Sequence, residues 1–167
     1  EGSKEVCVWY KDASGNISTA SGSPWSIFLD TKAPKGAGSE TSTVSTIASG
    51  LTVQNVAADA YGNVFVVGGG SIKKITPSGT LTTITSSLDT YISGLALDKI
   101  NNLLYTCGHT SLTPIRKITM NGVATVINGN GWGYSDGPLP SATFMIPYGC
   151  AVDNSGNLYL GDSWNNR

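Results

Sequence analysis

The sequence predicts an all-β protein, and three observations support this prediction. Hydrophobic residues make up 40% of the 167 residues, while charged residues make up only 13%, about half the usual share of ~25%. Gly is abundant, at 21 residues, which is typical of a chain with many turns. Short apolar runs rich in β-branched and aromatic residues alternate with turn residues, and no run of ten or more residues has the apolar spacing of a helix.

A motif recurs three times along the chain: an apolar run, an Asp, a turn that contains Asn, and a second apolar run. The copies are VAADAYGNVFVV at residues 56–67, LALDKINNLLYTC at residues 95–107 and CAVDNSGNLYLGD at residues 150–162. The first two aspartates, Asp59 and Asp98, are about 39 residues apart, close to the ~40–45 residues of a propeller blade. Each full repeat contains four short β-like runs, and four antiparallel strands per repeat predict the blades of a β-propeller.

The number of repeats predicts about two and a half four-stranded antiparallel blades. The first two copies are each followed by a basic-apolar strand, IKKIT at residues 72–76 and IRKIT at residues 115–119. The third copy stops at residues 164–167, where the next such strand should begin. We therefore expect a partial β-propeller that is truncated at its C-terminal end.

The N-terminal segment has a different pattern. Residues 5–11 alternate in polarity as a strand does, residues 12–16 supply turn residues, and a second strand is predicted at residues 25–29. Together these two strands are expected to form a β-hairpin. The phrases VWYKDASGN and IFLDTKAP resemble the C-terminal end of a bacterial immunoglobulin-like domain, which implies that the hairpin comes from an immunoglobulin-like sandwich.

The domain organisation follows from these patterns. We expect the C-terminal strands of an immunoglobulin-like domain at residues 1–34, a small polar linker at residues 35–42 and propeller repeats at residues 43–167. In the immunoglobulin-like family such domains are extracellular or surface modules. The resemblance therefore implies an extracellular or cell-surface location for a bacterial protein.

The propeller segment resembles a known repeat family. DGPLPSATFMIPYGCAVDNSGNLYLGDSWNNR at residues 136–167 is closely similar to the NHL repeat, and residues 56–79 and 95–122 contain a second and a third match. The resemblance covers about residues 43–167 and implies a propeller fold. The chain departs from the family pattern at residues 68–70, where Asp is usual, and at residues 99–101, where Gly is expected in the turn.

The polar residues of the repeated motif are interpreted as structural. The carboxylate of each motif Asp can accept backbone N–H bonds within its turn, and the Gly and Asn residues tolerate a left-handed backbone. The alternative is a ring of aspartates that binds a metal or another cation in the central channel. The residues concerned are Asp59, Asn63, Asp98, Asn102, Asp153 and Asn157.

Three further residues close the third repeat. By resemblance to the NHL family, Asp162, Asn166 and Arg167 are assigned to its Asp-x-x-Asn-x-Arg ending. The spacing allows the Asp to accept hydrogen bonds across the loop, and a pair between Arg167 and Asp162 is expected. We interpret this ending as a structural clasp.

The insert at residues 128–147 is the candidate ligand-contact loop. It contains Trp132, Tyr134 and Asp136, and aromatic residues on a loop can form a recognition surface. The alternative is that aromatic residues of the insert fill the space between blades, and Phe144 is expected to do so.

Several kinds of site have no support in the sequence. No set of His, Cys and Glu has the spacing of a transition-metal site, His109 is the sole histidine, and no nucleophile motif or phosphate loop is present. We expect no catalytic residue, cofactor or metal. Cys7, Cys107 and Cys150 lack CxxC spacing and are interpreted as small buried residues. The net charge of −1 without a basic stripe argues against nucleic acid, and no apolar run approaches the ~20 residues of a membrane span.

The function that we expect is binding without catalysis. The chain would be a binding or scaffold segment of a larger secreted or surface bacterial protein. Its partner would be a protein or a carbohydrate, bound through a propeller face. The alternative is a fragment of a propeller enzyme, of the metal-dependent lactonase or lyase type, whose site is incomplete in these residues.

Overall fold

The fold was described from a computed structural model. It describes residues 10–11, 17–18, 26–30, 44–108, 115–128 and 131–167, with side chains from residue 46 onward. The predicted turn at residues 12–16, the predicted linker at residues 35–42, Cys7 and His109 lie outside the described residues. The chain divides into two compact units, Glu1–Leu51 and Thr52–Arg167.

The first unit contains two antiparallel strand pairs. Strand β1 (Tyr10–Lys11) pairs with β2 (Ile17–Ser18), and β3 (Ser26–Asp30) pairs with β4 (Val44–Ser49). Strand β3 thus pairs with a later segment of the chain, and most of the first strand predicted for the N-terminal hairpin, residues 5–9, lies outside the described residues. The segment VSTIAS is rich in β-branched residues and supplies the backbone partner that an isolated strand at residues 26–30 requires. The division between the two compact units falls after Leu51.

The second unit is built from successive antiparallel sheets, each with its strands in chain order. The first blade contains β5 (Asn55–Ala58), β6 (Val64–Gly68), β7 (Ser71–Ile75) and β8 (Leu81–Thr85). The second blade contains β9 (Ile92–Asp98), β10 (Leu103–Gly108), β11 (Arg116–Thr119) and β12 (Ala124–Val126). The third sheet contains β13 (Pro147–Val152) and β14 (Leu158–Asp162), followed by a 3-10 helix at Ser163–Asn165. These sheets confirm the predicted all-β architecture of two four-stranded blades and a half blade.

The core of this unit lies where the first two blades pack face to face. One cluster of buried side chains joins them: Phe65, Val67, Ile72, Ile92, Leu95, Leu104 and Ile118. The first strand of each sheet packs on the first strand of the next, so β9 contacts both β5 and β13. The last strand of each full blade is its exposed edge, and β12 is exposed at all three residues. A short edge strand limits pairing with other chains.

The alternation of strand direction gives the second unit two opposite faces. The turns between the first and second strands of each sheet, at residues 59–63, 98–102 and 153–157, lie on one of them, which we call the turn face. The segment at residues 131–146 and the 3-10 helix lie on the other, which we call the loop face. Among the described residues, no helix has the length and apolar character needed to cross a membrane.

Candidate functional site

The candidate ligand-contact loop is an ordered segment of the loop face. Its two arms run side by side, with an isolated parallel bridge between Trp132 and Phe144. The backbone N–H of Gly133 donates to the Phe144 carbonyl at 3.3 Å, and that of Ser135 donates to Thr143 Oγ1 at 3.0 Å. Gly133 has no room for a side chain, because a Cβ there would collide with Thr143. The arms are therefore fixed against each other by local contacts.

Arg167 joins this loop to the end of β14. Its guanidinium lies over the Tyr134 ring, 4.1 Å from the ring centroid. Nη1 donates to Asp136 Oδ1 at 2.6 Å, Nη2 to the Thr143 carbonyl at 3.2 Å and Nε to Asp162 Oδ2 at 3.2 Å. A planar guanidinium suits this role because its donors are fixed in a fork and its face stacks on aromatic rings. The expected pair between Arg167 and Asp162 is present.

Asp162 is the buried centre of the clasp. Its side chain accepts from the backbone N–H of Met145 at 2.6 Å through Oδ1, and from Asn165 Nδ2 at 2.7 Å and Arg167 through Oδ2. Asn165 also donates to the Gly133 carbonyl at 2.8 Å. Burial of a carboxylate is costly unless it is paired and hydrogen-bonded, and these donors satisfy both oxygens.

The assignment of Asn166 to this clasp is wrong. The fourth position of the Asp-x-x-Asn-x-Arg ending is Asn165. Its side chain donates to the Gly133 carbonyl and to Asp162 Oδ2. Asn166 has a left-handed backbone, with φ of 52°, and caps the 3-10 helix. Asn tolerates this conformation better than most residues do. Counting the motif spacing from Asp162 identifies Asn165 from the sequence alone.

Three aromatic side chains remain exposed around the clasp. Trp132 is 52% exposed, Tyr134 is 65% exposed and Trp164 is 61% exposed. Trp164 was not predicted from the sequence as part of this surface, although a Trp within the polar segment DSWNNR is a signal of an exposed ring. Phe144 was expected to fill the space between blades and is half-buried. The buried residues of this loop include Ala142 and Ile146.

Ile146 marks the point where the loop enters β13. It is 1% exposed and has a φ of 55°. A left-handed backbone is unfavourable for a β-branched residue. The buried position of Ile146 therefore holds the loop in a direction that its backbone alone would not adopt.

On the turn face, the aspartate side chains accept hydrogen bonds from residues of their own turns. Asp59 Oδ1 accepts from the backbone N–H groups of Tyr61 and Asn63, both at 2.9 Å, and Asn63 Nδ2 donates to Oδ2 at 2.6 Å. Asp153 accepts in the same way from Ser155 and Asn157. The structural reading of these two aspartates accounts for all of these contacts. Among the described residues, no group of three or more His, Cys, Asp or Glu side chains could hold a metal ion.

The second turn differs from the other two. Asp98 accepts from the backbone N–H groups of Ile100 and Asn101, both at 3.0 Å, and from Asn101 Nδ2 at 2.8 Å. Asn102 has a left-handed backbone, with φ of 53°, which is the conformation that the Asn residues of these turns were expected to tolerate. The connection is one residue longer here, with Asp98 opposite Leu103. The extra residue moves the side-chain bond to the first of the two asparagines.

The turn hydrogen bonds change the acidity of all three aspartates. Hydrogen bonds from the Asn101 backbone and side chain lower the pKa of Asp98 from its usual 3.8. Those from Asn157, Ser155 and Tyr159 lower the pKa of Asp153 to about 2. Burial opposes the shift at Asp59, but the bonds from Asn63 and Tyr61 still lower its pKa. The charged form is favoured in each case because hydrogen bonds to a carboxylate stabilise it.

Comparisons with known proteins give the fold. No protein-family model matches the chain, and no curated protein matches it significantly. Among solved structures, virginiamycin B lyase from Staphylococcus aureus is similar, with a TM-score of 0.62 and 17% identity, over 96% of this chain and 49% of that one. The fold is a β-propeller. This chain spans about half the length of that neighbour.

A second solved structure has a lower score. It is a protein of unknown function from Bacteroides thetaiotaomicron, with a TM-score of 0.35 and 18% identity, over 71% of this chain and 44% of that one. No comparison supports the immunoglobulin-like assignment of residues 1–34.

Proposed function

We propose that this propeller is a non-catalytic binding module and that its loop face contacts the partner. The observation that carries the proposal is the group of three exposed rings, Trp132, Tyr134 and Trp164, around a buried clasp. Trp and Tyr dominate the binding energy of many interfaces. A loop that is already ordered loses less conformational entropy on binding than a mobile one.

The partner is a protein or a carbohydrate that offers apolar surface to the rings. The carboxylate of Asp136 lies at the rim of the same surface, with its side chain 91% exposed, and can accept a hydrogen bond from the partner. The repeats are of the NHL type, on the strength of residues 136–167. The chain is part of a secreted or surface bacterial protein, on the strength of the resemblance of residues 1–34 to surface immunoglobulin-like modules.

Tryptophan fluorescence of the full chain, titrated with hits from a glycan array and from purified bacterial surface proteins, tests this function. The variants Trp132→Ala and Trp164→Ala should each weaken binding about tenfold, which corresponds to ~1.4 kcal/mol. Tyr61→Ala is the matched control, because Tyr61 is 85% exposed on the turn face. Equal affinity of all three variants would contradict the proposal, as would the absence of any hit.

A second candidate function is catalysis. The observation that favours it is the fold likeness to virginiamycin B lyase. In this case the chain would be part of a propeller enzyme, of the metal-dependent lactonase or lyase type, with further site residues outside it. Lactone hydrolysis or lyase activity of the longer protein that is lost with a chelator and restored by a divalent metal would establish this function and displace the first.

A further inference from the structure

Two cysteines of adjacent sheets border the same small space in the second unit. Cys107 lies on β10 and is 1% exposed, whereas Cys150 lies on β13 and is half-buried. Both are free thiols. Cys150 Sγ lies 3.8 Å from the Tyr105 carbonyl, two residues before Cys107 on the same strand. The half blade thus places one thiol directly beside the other.

Gly94 creates the space that the two sulfurs share. It is the register partner of Cys107 in the β9–β10 pair, so the side chains at these two positions point to the same side of the sheet. A Cβ at position 94 would collide with Cys107 Sγ and lie 3.1 Å from both the Sγ and the backbone N of Cys150. Only Gly at this position lets both sulfurs approach.

We propose that Cys107 and Cys150 form a disulfide that joins the second blade to the third sheet when a low-molecular-weight disulfide is present as oxidant. One cysteine thiolate attacks the oxidant, forms a mixed disulfide and releases one small thiolate. The second cysteine then attacks the protein sulfur of that mixed disulfide and releases the other small thiolate. The protons lost by the two cysteines are taken up by the two released thiolates, so one disulfide is reduced as one is formed.

The surroundings of the two thiols set the order of attack. Cys150 is the more exposed, and the hydrogen bond from Cys107 lowers the pKa of Cys150. The same bond, together with burial, raises the pKa of Cys107. Cys150 therefore attacks the oxidant first, since the thiolate is the reactive form, and Cys107 resolves the mixed disulfide.

The disulfide would act on the loop face. The chain between the two cysteines contains residues 131–146, which carry Trp132 and Tyr134. Closing this segment restricts its conformations in states where the sheets separate. An oxidising environment would thus fix the candidate ligand-contact loop to the second blade, and a reducing one would release that restraint.

The test compares disulfide formation in the folded and the unfolded chain. The full chain with Cys7→Ser is incubated with glutathione disulfide, with and without urea, and the products are trapped by alkylation and mapped by mass spectrometry. We expect a Cys107–Cys150 crosslink that forms at least about tenfold faster without urea, because the fold holds the thiols together. Equal rates with and without urea, or glutathione adducts without a crosslink, would overturn the proposal.

Single cysteine variants test the order of attack. In the same background, Cys107→Ser should accumulate the glutathione adduct on Cys150, while Cys150→Ser should leave Cys107 largely unmodified in the folded chain. Faster modification of Cys107 than of Cys150 would contradict that order. A further variant, Gly94→Ala, should slow crosslink formation without urea but not in urea, and an unchanged rate without urea would contradict the role of the shared space.

Discussion

The turn face and the loop face each contain a buried aspartate, but the two carboxylates are satisfied in different ways. Asp98 is fully buried and takes its donors from Ile100 and Asn101, within its own turn. Asp162 is 2% exposed and takes donors from Met145, 17 residues earlier, as well as from Asn165 and Arg167. The first carboxylate fixes one turn, whereas the second joins a loop, a strand end and a helix. Hydrogen bonds within one turn stabilise one repeat, as at Asp98. Hydrogen bonds between distant residues, as at Asp162, fix the arrangement of the loop face.

Removing the carboxylate of Asp162 should have the largest effect. Asp162→Ala leaves the half-buried N–H of Met145 and the Arg167 guanidinium without the buried carboxylate as their partner, so we expect the free energy of unfolding to fall by about 3 kcal/mol. Urea denaturation measures this loss. Asp136→Ala is the control in the same loop, since that carboxylate is almost fully exposed. Equal losses for the two variants would show that the clasp has no buried centre.

The corresponding change on the turn face should cost less. Asp98→Ala removes three short-range hydrogen bonds that hold the turn around a fully buried carboxylate, so we expect a loss of about 2 kcal/mol in the same denaturation experiment. The loop face should be unaffected, and chymotrypsin should cleave at Trp132 and Tyr134 no faster than in the parent chain. Faster cleavage there would mean that the two faces are coupled.

Replacing Arg167 tests the long-range hydrogen bonds of the loop face without removing the buried Asp162 carboxylate. Arg167→Lys keeps the charge but cannot reach Asp136, Thr143 and Asp162 together, so we expect several-fold faster chymotrypsin cleavage of the loop. Arg116→Lys is the matched control, because Arg116 Nη2 forms a salt bridge with Asp89 Oδ2 at 2.6 Å. Neither residue belongs to this loop. The distinction between the two faces would be lost if both variants were cleaved at the same rate.

The turn carboxylates predict how stability depends on pH. Their folded pKa values lie below the usual value, so their contribution is complete above pH ~4 and is lost as the pH falls through the folded values. The Asp153 carboxyl should titrate with a midpoint of about 2, as followed by carbon NMR. Asn157→Ala removes the side-chain hydrogen bond to Asp153 Oδ2 and should move that midpoint upward. A midpoint near 4 in the parent chain would contradict the turn geometry.

The smallest effect is expected at the second turn. Asn102→Gly keeps the left-handed conformation, so its effect on the free energy of unfolding should stay within about 0.5 kcal/mol. Asn101→Ala removes a side-chain bond to the buried Asp98 and should cost about 1 kcal/mol. Denaturation of the two variants side by side measures the difference. The reverse order would mean that Asn102, and not Asn101, supplies the side-chain hydrogen bond to Asp98.

The sequence by itself determined the strands of the second unit, the blade period and the placement of the Asp turns. These features depend on residues close together in the chain, since a turn carboxylate finds its donors within a few positions and a blade is a meander of neighbouring strands. At Asp98 the motif predicted the turn from neighbouring residues. It did not predict that the side-chain hydrogen bond to Asp98 comes from Asn101.

Only the tertiary structure decided what distant residues do together. The pairing of β3 with β4, the contact of Arg167 with Tyr134 and Asp136, and the approach of Cys150 to Cys107 each join residues far apart in the chain. Side-chain spacing carries no signal for such contacts, because they depend on how sheets pack and where loops return. The repeats can therefore be predicted from the sequence. The clasp that fixes the loop face is found only in the tertiary structure, because it needs the third sheet in place.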